Sequence, residues 1–387
     1  MKLIHTGDWH AGKKLRGVDR LPDLSQALNE LVQLAESEQV DAVLIAGDVY
    51  DSTAPSPAAQ RLVIATLLRL VDAGAEVIVI SGNHDNAREL EAYRPLLEVA
   101  NIHVSASFRR PDDGGVVSFT TRAGEPVNVA VLPFLSQRYA VKAADLLTGD
   151  TGEHSANYEA RVRGLIDALT SSFTPDAVNI VLSHLTVTGA AFGGGERESQ
   201  SIFDYHVNAA AFGVTPTYVA LGHLHRYQTI PAAAPVVYAG SPIQVDFGET
   251  ANTTGVVLVE AHPGQPAIYE QRPLTGGRQL RTLTGNVDEL TRQAEHVGDD
   301  LLRLVVNEPT FVGLREQLHD ALPNTLQIRI AEEYAAQPAT DTASFETVQQ
   351  TSPHDLFNDY LTQRQLSDPK LLALFDELLE ERHESSH

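Results

Sequence analysis

The first two thirds of the chain alternate short apolar runs with longer amphipathic segments. The apolar runs are bounded by Gly, Asp or Pro and predict buried strands at 3–4, 42–46, 77–80, 129–132, 180–182 and 218–221. The segments between them, at 24–36, 56–73, 89–100 and 158–171, carry helical periodicity, and Pro57 after Ser56 is typical of a first helical turn. The alternation predicts an α/β sandwich.

The pattern changes after this region. Segments 235–242 and 254–260 predict strands that close the sheet, and from 278 the order is strand, helix (287–296), strand (301–306), helix (311–321) and strand (326–330). A Pro- and Thr-containing linker follows at 335–342, then two helices that open at Ser352-Pro353 and Asp368-Pro369. The expected units are a sandwich domain at 1–275, a small α/β domain at 276–335 and C-terminal helices at 343–387.

Polar motifs follow five of the predicted strands. The candidate ligands in them are Asp8, His10, Asp48, Asn83, His184, His223 and His225. Loops at the carboxyl ends of strands in an open α/β sheet converge, so we expect these side chains to meet. Asp, Asn and His suit Mn²⁺ or a similar divalent metal, and the chain has no cysteine. Two such ions sharing a carboxylate, for which Asp48 is the best candidate, make phosphoester hydrolysis the leading hypothesis.

Each motif also has a structural interpretation. Gly-Asp arises by chance in most proteins and a lone Ser-His is usually structural, whereas Gly82-Asn83-His84-Asp85 is more specific. The conjunction of five motifs, each at the end of a strand, favours the metal site.

Charge limits how the protein can hold a polyanion. The chain of 387 residues has a formal net charge of −23, which is awkward for gripping nucleic acid without local basic patches, metals or a partner. Lys13, Lys14, Arg16 and Arg20 follow the first motif and are candidates for phosphate contacts, or else a solvated loop. The first motif begins too early for a signal peptide and no apolar stretch reaches transmembrane length, so we expect a cytoplasmic protein without membrane contact.

The order Asp-X-His, Gly-Asp, Gly-Asn-His-Asp, Ser-His, Gly-His-X-His resembles the calcineurin-like metallophosphoesterase superfamily. Within it, segments 6–10, 219–225 and 238–249 resemble the SbcD-type nucleases, the bacterial branch of the Mre-type DNA repair nucleases. The resemblance covers essentially the whole chain and implies a metallophosphoesterase-type α/β sandwich.

The resemblance also implies residue roles. One Mn²⁺ would be held by Asp8, His10, Asp48 and His225, and a second by Asp48, Asn83, His184 and His223, with Mg²⁺ or another divalent metal also possible. His84 would act as general acid, and Asp85 would help to orient His84 without binding a metal itself. Asp51 stands where archaeal and eukaryotic relatives often carry a histidine near the substrate phosphate, so the resemblance does not carry that contact over to this chain.

The activity implied is that of a double-strand exonuclease and single-strand or hairpin endonuclease in DNA end processing, repair, recombination and replication. The small α/β domain would cap the nuclease site, and the C-terminal helices would dock an SbcC-type SMC-like ATPase, in a nucleoid-associated complex. The alternative is that the C-terminal helices pack on their own domain. A homodimer within a heterotetramer is also implied, with an apolar face from Leu62, Ile64, Leu67, Leu68, Tyr93, Leu96 and Leu97, unless these residues belong to the core.

Two other functions share part of this pattern. A small-molecule phosphodiesterase or phosphatase of the same superfamily would need the metals but neither the capping domain nor the tail helices. A scaffold subunit with a decayed site is the other, and the complete ligand set argues against it.

Overall fold

A computed structural model describes residues 1–148, 158–196 and 206–334, and six positions between 357 and 375. The strands, numbered along the chain, are β1 (Lys2–Thr6), β2 (Lys14–Leu15), β3 (Val18–Asp19), β4 (Ala42–Ala46), β5 (Glu76–Ile80), β6 (Ile102–Ser105), β7 (Val116–Thr120), β8 (Pro126–Leu132), β9 (Val178–His184), β10 (Thr186–Val187), β11 (His206–Val207), β12 (Tyr218–Gly222), β13 (Gln228–Ile230), β14 (Val236–Tyr238), β15 (Gly255–Glu260), β16 (Ile268–Pro273), β17 (Leu280–Gly285), β18 (Leu301–Val306) and β19 (Thr325–Ile330). The α-helices are α1 (Leu21–Glu38), α2 (Pro57–Asp72), α3 (Ala87–Val99), α4 (Gln137–Thr148), α5 (Tyr158–Thr170), α6 (Val287–Arg292) and α7 (Leu314–Ala321).

Two six-stranded sheets form the centre of the molecule. The first has the order β16-β15-β1-β4-β5-β6, with β1, β4, β5 and β6 parallel and β15 antiparallel to β1. The second has the order β13-β14-β12-β9-β8-β7, with β8, β9, β12 and β14 parallel. The predicted α/β sandwich is confirmed.

The alternation of side chains along the strands explains why their sequences are apolar throughout. In β4, Ala42, Leu44 and Ala46 face the core between the two sheets, while Val43 and Ile45 face the layer of α1 and α2. Burial on both faces removes the polar alternation that a half-exposed strand would show. Helices α4 and α5 cover the second sheet through residues such as Ala140 of α4 and Leu165 and Ile166 of α5. The layers are therefore helix, sheet, sheet and helix.

A separate parallel sheet, β17-β18-β19, follows the sandwich. Helices α6 and α7 cover it through Leu290, Leu314 and Leu318. A smaller apolar cluster joins this sheet to the sandwich through Leu15, Phe247, Leu280 and Leu301. We call β17 to β19 with α6 and α7 the C-terminal module.

The predicted linker at 335–342 and most of the two tail helices lie outside the described residues. The six described positions, Phe357, Leu361, Leu371, Leu372, Leu374 and Phe375, are helical. Phe357 and Phe375 stack with ring centroids 4.1 Å apart. Over the part of the chain that the structure describes, no helix combines the length and the apolar character needed to cross a bilayer.

Candidate metal centre

The seven predicted ligands come together at one edge of the sandwich. Each lies at or just beyond the carboxyl end of a parallel strand, namely Asp8 and His10 after β1, Asp48 after β4, Asn83 after β5, His184 at the end of β9, and His223 and His225 after β12. All seven side chains are buried. The edge therefore gathers three carboxylate or amide oxygen donors and four imidazoles that are distant in sequence.

One group of possible ligand atoms belongs to Asp8, His10 and His225, whose atoms lie within 4.8 Å of one another. The Nε2 atoms of His10 and His225 are 3.0 Å apart. Two ring nitrogens at this distance point into one small space, which is the arrangement that a shared cation requires.

A second group consists of Asp48, His184 and His223. Asn83 belongs with it, because its Oδ1 lies 2.9 Å from both His184 Nε2 and His223 Nδ1. Its side-chain oxygen thus converges on the same point as the two imidazoles.

Asp48 lies between the two groups. Its Oδ2 is 3.7 Å from His10 Nε2 and 3.5 Å from His184 Nε2, while its Oδ1 accepts a hydrogen bond of 2.8 Å from the main-chain N–H of His84. A Cβ added at Gly82 would overlap Asp48 Oδ1, so the loop after β5 needs glycine to approach this carboxylate. Asp48 is thus placed where one carboxylate can serve both groups.

Backbone strain is concentrated at the same residues. Asp8, His10, Asp48 and His223 have φ angles of 53°, 47°, 47° and 94°, in the left-handed region that non-glycine residues rarely adopt. Such conformations cost free energy and are typical of functional sites, where the surrounding structure holds them.

Hydrogen bonds on the outer side of the imidazoles determine which nitrogen faces the centre. His184 Nδ1 lies 2.7 Å from the carbonyl oxygen of Ala46, and His225 Nδ1 lies 2.7 Å from Glu249 Oε1. Since both partners accept, each Nδ1 carries the hydrogen and each Nε2 is the nitrogen turned inward.

The pKa values of the cluster diverge because burial and mutual charge act in opposite directions. Burial raises the pKa of Asp8 to about 7 and lowers that of His10 to about 3. Burial opposes the charged form of His184 and His225, but Asp48 and Glu249 outweigh it and raise these pKa values to about 9 and about 10. Burial would also raise the pKa of Asp48, yet His184 and His84 lower it well below its usual value.

This donor set fits two divalent cations. It offers only N and O donors, and its imidazoles are oriented from outside, including that of His10, whose Nδ1 lies 3.4 Å from Asp51 Oδ1. A protein core would bring so many buried acids and imidazoles together only at considerable cost, unless a cation balanced them.

His84 lies beside the first group. Its ring is 4.7 Å from that of His10, and its Nδ1 lies 2.9 Å from the carbonyl oxygen of Asp51, which leaves Nε2 as the nitrogen that can exchange a proton. A possible ligand atom of His84 also lies within 4.8 Å of those of His10 and Asp48. Geometry alone therefore allows His84 to act as an acid or as a ligand.

Asp85 holds the loops rather than the His84 ring. Its carboxylate accepts hydrogen bonds from the main-chain N–H groups of Val49, Tyr50 and Gly82. The loops after β4 and β5, which carry Asp48 and Asn83, are tied together in this way.

The four basic residues predicted to meet phosphates divide into three environments. Lys14 and Arg16 are exposed, while Lys13 Nζ lies 3.2 Å from Asp51 Oδ1, which also faces His10 Nδ1 at 3.4 Å. Arg20 is 1% exposed, pairs with Asp23 and donates to the carbonyl oxygen of Arg278. This burial does not fit the predicted phosphate contact, because the Arg20 guanidinium joins the start of α1 to the segment between β16 and β17 instead.

Two carboxylates at the site were not among the predicted residues. Glu249 contacts His225 Nδ1, and Glu196 Oε1 accepts a hydrogen bond of 2.9 Å from the main-chain N–H of His225. Glu249 lies within the segment 238–249, which carried part of the family resemblance, so that segment contained a signal. The spacing of the motifs does not identify either contact, since both depend on how loops pack.

Comparison with known proteins finds two matching families and several relatives. Residues 1–227 match the family described as calcineurin-like phosphoesterase, and residues 277–365 match the one described as type 5 capsule protein repressor C-terminal domain. The D subunit of the SbcCD nuclease from Bacillus subtilis is 34% identical over 284 residues, which are 72% of this chain and 71% of that protein.

Two further relatives have the same name. The protein from Rhodobacter capsulatus is 32% identical over 315 residues, covering 75% of this chain and 76% of its own. The protein from Escherichia coli is 26% identical over an alignment of 398 positions, covering 95% and 94%. The similarity thus extends through both the sandwich and the C-terminal module.

Proposed function

Because the chain belongs to the calcineurin-like phosphoesterase family, and within it to the family of SbcCD nuclease D subunits, we propose that it hydrolyses phosphodiester bonds of DNA as the nuclease subunit of such a complex. The observation that carries this proposal is the pair of ligand groups that meet at Asp48. A site of this kind is built for a phosphate ester flanked by two cations.

The metal ligands are proposed as two sets that share Asp48. Asp8, His10 and His225 complete the first, and Asn83, His184 and His223 complete the second. Divalent cations bound there supply the Lewis acidity that polarises a phosphodiester. We propose Mn²⁺ as the metal because imidazole nitrogens are mixed with carboxylate and amide oxygens.

The proton for the leaving oxygen is assigned to His84. Its Nδ1 donates to the carbonyl oxygen of Asp51, which orients the ring, so Nε2 would carry the transferable proton in the imidazolium form and be left without it after the transfer. Asp85 supports this arrangement from a distance, since it positions the main chain of Gly82 and Tyr50. We therefore assign Asp85 a positioning role.

DNA and an SbcC-type ATPase are proposed as partners on the basis of the relatives' names. Exposed Lys14 and Arg16 near the site provide a small basic surface, but the net charge of −23 favours a complex in which the ATPase holds much of the DNA. The proposed activities are those of an exonuclease on double strands and an endonuclease on single strands and hairpins, in DNA end processing.

A homodimer through α2 and α3 is also proposed, and the residues of the predicted face differ in how accessible they are. Leu67 and Leu97 are buried in the protein's own core. Leu62, Ile64 and Tyr93 are half-buried. Leu68 and Leu96 are exposed at 40% and 73%, so these two are the most accessible to a second copy.

The test is cleavage of a DNA hairpin in Mn²⁺ by wild type and by His84→Ala, with metal content measured on the same samples. We expect His84→Ala to keep both ions and to lose about 10²- to 10⁴-fold in rate. His319→Ala, which changes an exposed histidine of α7, is the matched control and should cleave like the wild type.

Three outcomes contradict parts of this proposal. Loss of an ion in His84→Ala would make His84 a ligand rather than the acid. Faster hydrolysis of cyclic nucleotides than of DNA would favour a small-molecule phosphodiesterase. A protein that binds both ions, yet cuts no DNA even with its ATPase, would be a scaffold.

A further inference from the structure

A buried carboxylate outside the proposed ligand set holds the ring of His225. Glu249 is 1% exposed and ends the short helical turn Phe247–Glu249. Its Oε1 lies 2.7 Å from His225 Nδ1, and its Oε2 accepts a hydrogen bond of 2.8 Å from the main-chain N–H of Val245. Both oxygens are thus engaged within the protein, and the first determines which nitrogen of His225 faces the metal position.

The turn of residues 193–196 packs directly on this contact. A Cβ added at Gly195 would overlap Glu249 Oε1 and would lie 2.9 Å from His225 Nδ1. Glu196 completes the turn, since its carboxylate accepts hydrogen bonds from Gly193 N–H at 2.6 Å and from His225 N–H at 2.9 Å. His225 is therefore held by two carboxylates, since Glu249 contacts its ring and Glu196 accepts a hydrogen bond from its main chain.

Gln244 connects Glu249 to the C-terminal module. Its Nε2 donates to the carbonyl oxygen of Glu249 at 3.2 Å, and its Oε1 accepts from the N–H of Leu280 at 2.7 Å, the first residue of β17. Phe247 packs with Leu280 in the cluster that joins module and sandwich, and its carbonyl oxygen accepts a hydrogen bond of 3.1 Å from Arg303 Nη2. The turn that carries Glu249 is thus fastened to the module by polar and apolar contacts.

We propose that Glu249 is a positioning residue for the cation held by His225, and that the C-terminal module supports it through Gln244. The inference rests on the proposed function, because it assumes that His225 binds a metal. Residues that orient a metal-bound histidine typically change metal affinity by about 10- to 100-fold when altered. The module would then contribute to metal retention.

The experiment measures Mn²⁺ affinity by calorimetry and the bound ions by elemental analysis, on the full chain. Glu249→Gln removes the charge while keeping the shape. Gln244→Met removes both hydrogen bonds by which Gln244 links the Glu249 carbonyl to Leu280 of the module. Gly195→Ala places a methyl group against Glu249 without removing a carboxylate. The matched controls are Glu260→Gln, at an exposed carboxylate, and Gly164→Ala, at an open helical position.

We expect Glu249→Gln and Gly195→Ala to weaken one of two Mn²⁺ sites by about 10- to 100-fold. Gln244→Met should weaken the same site less, because it contacts the main chain of Glu249. Thermal unfolding of the metal-free proteins separates positioning from general destabilisation, and Glu249→Gln should unfold within a few degrees of wild type.

The outcomes distinguish this inference from the proposed function. A wild type that binds no Mn²⁺ overturns both. Two ions in wild type, with unchanged affinities in Glu249→Gln and Gly195→Ala, overturn the role of Glu249 alone. Unchanged affinity in Gln244→Met overturns only the contribution of the module, and an equal loss in the controls would show that the effect is not specific.

Discussion

The ion pairs of Asp23 with Arg20 and Arg278 allow a quantitative prediction for Asp23→Asn. The Asp23 carboxylate accepts three hydrogen bonds from Arg278, at 2.9 Å from N, 3.0 Å from Nε and 2.9 Å from Nη2, and it lies 2.9 Å from Arg20 Nε. Asp23 and Arg20 are 2% and 1% exposed. Removal of one partner from a buried ion pair costs about 3–5 kcal/mol, because the remaining charge stays buried.

We place the loss for Asp23→Asn at the lower end, about 3 kcal/mol, since the amide oxygen can still accept one hydrogen bond. The measurement is the free energy of unfolding in urea, together with hydrogen exchange of the segment 275–285. Asp320→Asn, an exposed carboxylate of α7, is the control and should change stability by less than about 0.5 kcal/mol.

The pH dependence of this effect has a defined sign. Burial would raise the pKa of Asp23, but the hydrogen bonds from Arg278 and the charge of Arg20 outweigh it and lower the pKa. A carboxyl whose pKa is lowered on folding contributes stability above its unfolded pKa, about 3.9, and loses it as the pH falls through the folded value. The difference between wild type and Asp23→Asn should therefore be constant from pH 5 to 8 and shrink below about pH 4. A difference under about 1 kcal/mol at pH 7, or one that persists unchanged at pH 3, would refute this reasoning.

Three further predictions concern the metal centre and the substrate. Gly82→Ala should abolish Mn²⁺ binding at Asp48, because the new Cβ overlaps Asp48 Oδ1, and a metal count equal to wild type would contradict this. Mn²⁺ at 100 times its dissociation constant should raise the free energy of unfolding by about 2.7 kcal/mol per site. Thermal unfolding measures this gain, which a chelator should reverse. An unfolding temperature that does not change with Mn²⁺ would exclude a metal site specific to the folded state. Lys14→Gln or Arg16→Gln should weaken DNA binding equally for all sequences and lower the salt slope by about one, and an unchanged slope would remove that residue from the DNA contact.

The fold was predictable where the burial of an element produces a recognisable pattern of apolar residues in the sequence. The run 42–46 was predicted as a strand and forms β4 with the same bounds, because both of its faces are buried. Helix boundaries depend on single residues instead. The helix predicted from 311 begins at Leu314, because Gly313 has a φ of 90° and cannot be its first turn. The short edge strand β6 was not predicted, since four residues give little periodicity.

The sequence predicted which residues come together at the candidate site, but not the contacts that hold them in place. Sequence order places the seven candidate ligands after strands, and parallel topology brings them to one edge. The contact of Glu249 with His225 and the burial of Arg20 against Arg278 arise from loop packing between distant segments. No local sequence pattern shows which loops touch. Arg20, which follows the first motif, was therefore predicted as a phosphate contact although it is buried.

Strand β1 lies between β4 and β15, with Lys2 opposite Glu260. During synthesis, its outer edge has no partner until β15 leaves the ribosome, although β4 can pair with the other edge much earlier. Pairing across such a sequence separation is slow, and an open strand edge invites aggregation. Expression fragments that stop before β15 should therefore be insoluble, even when they contain every residue proposed to bind metal.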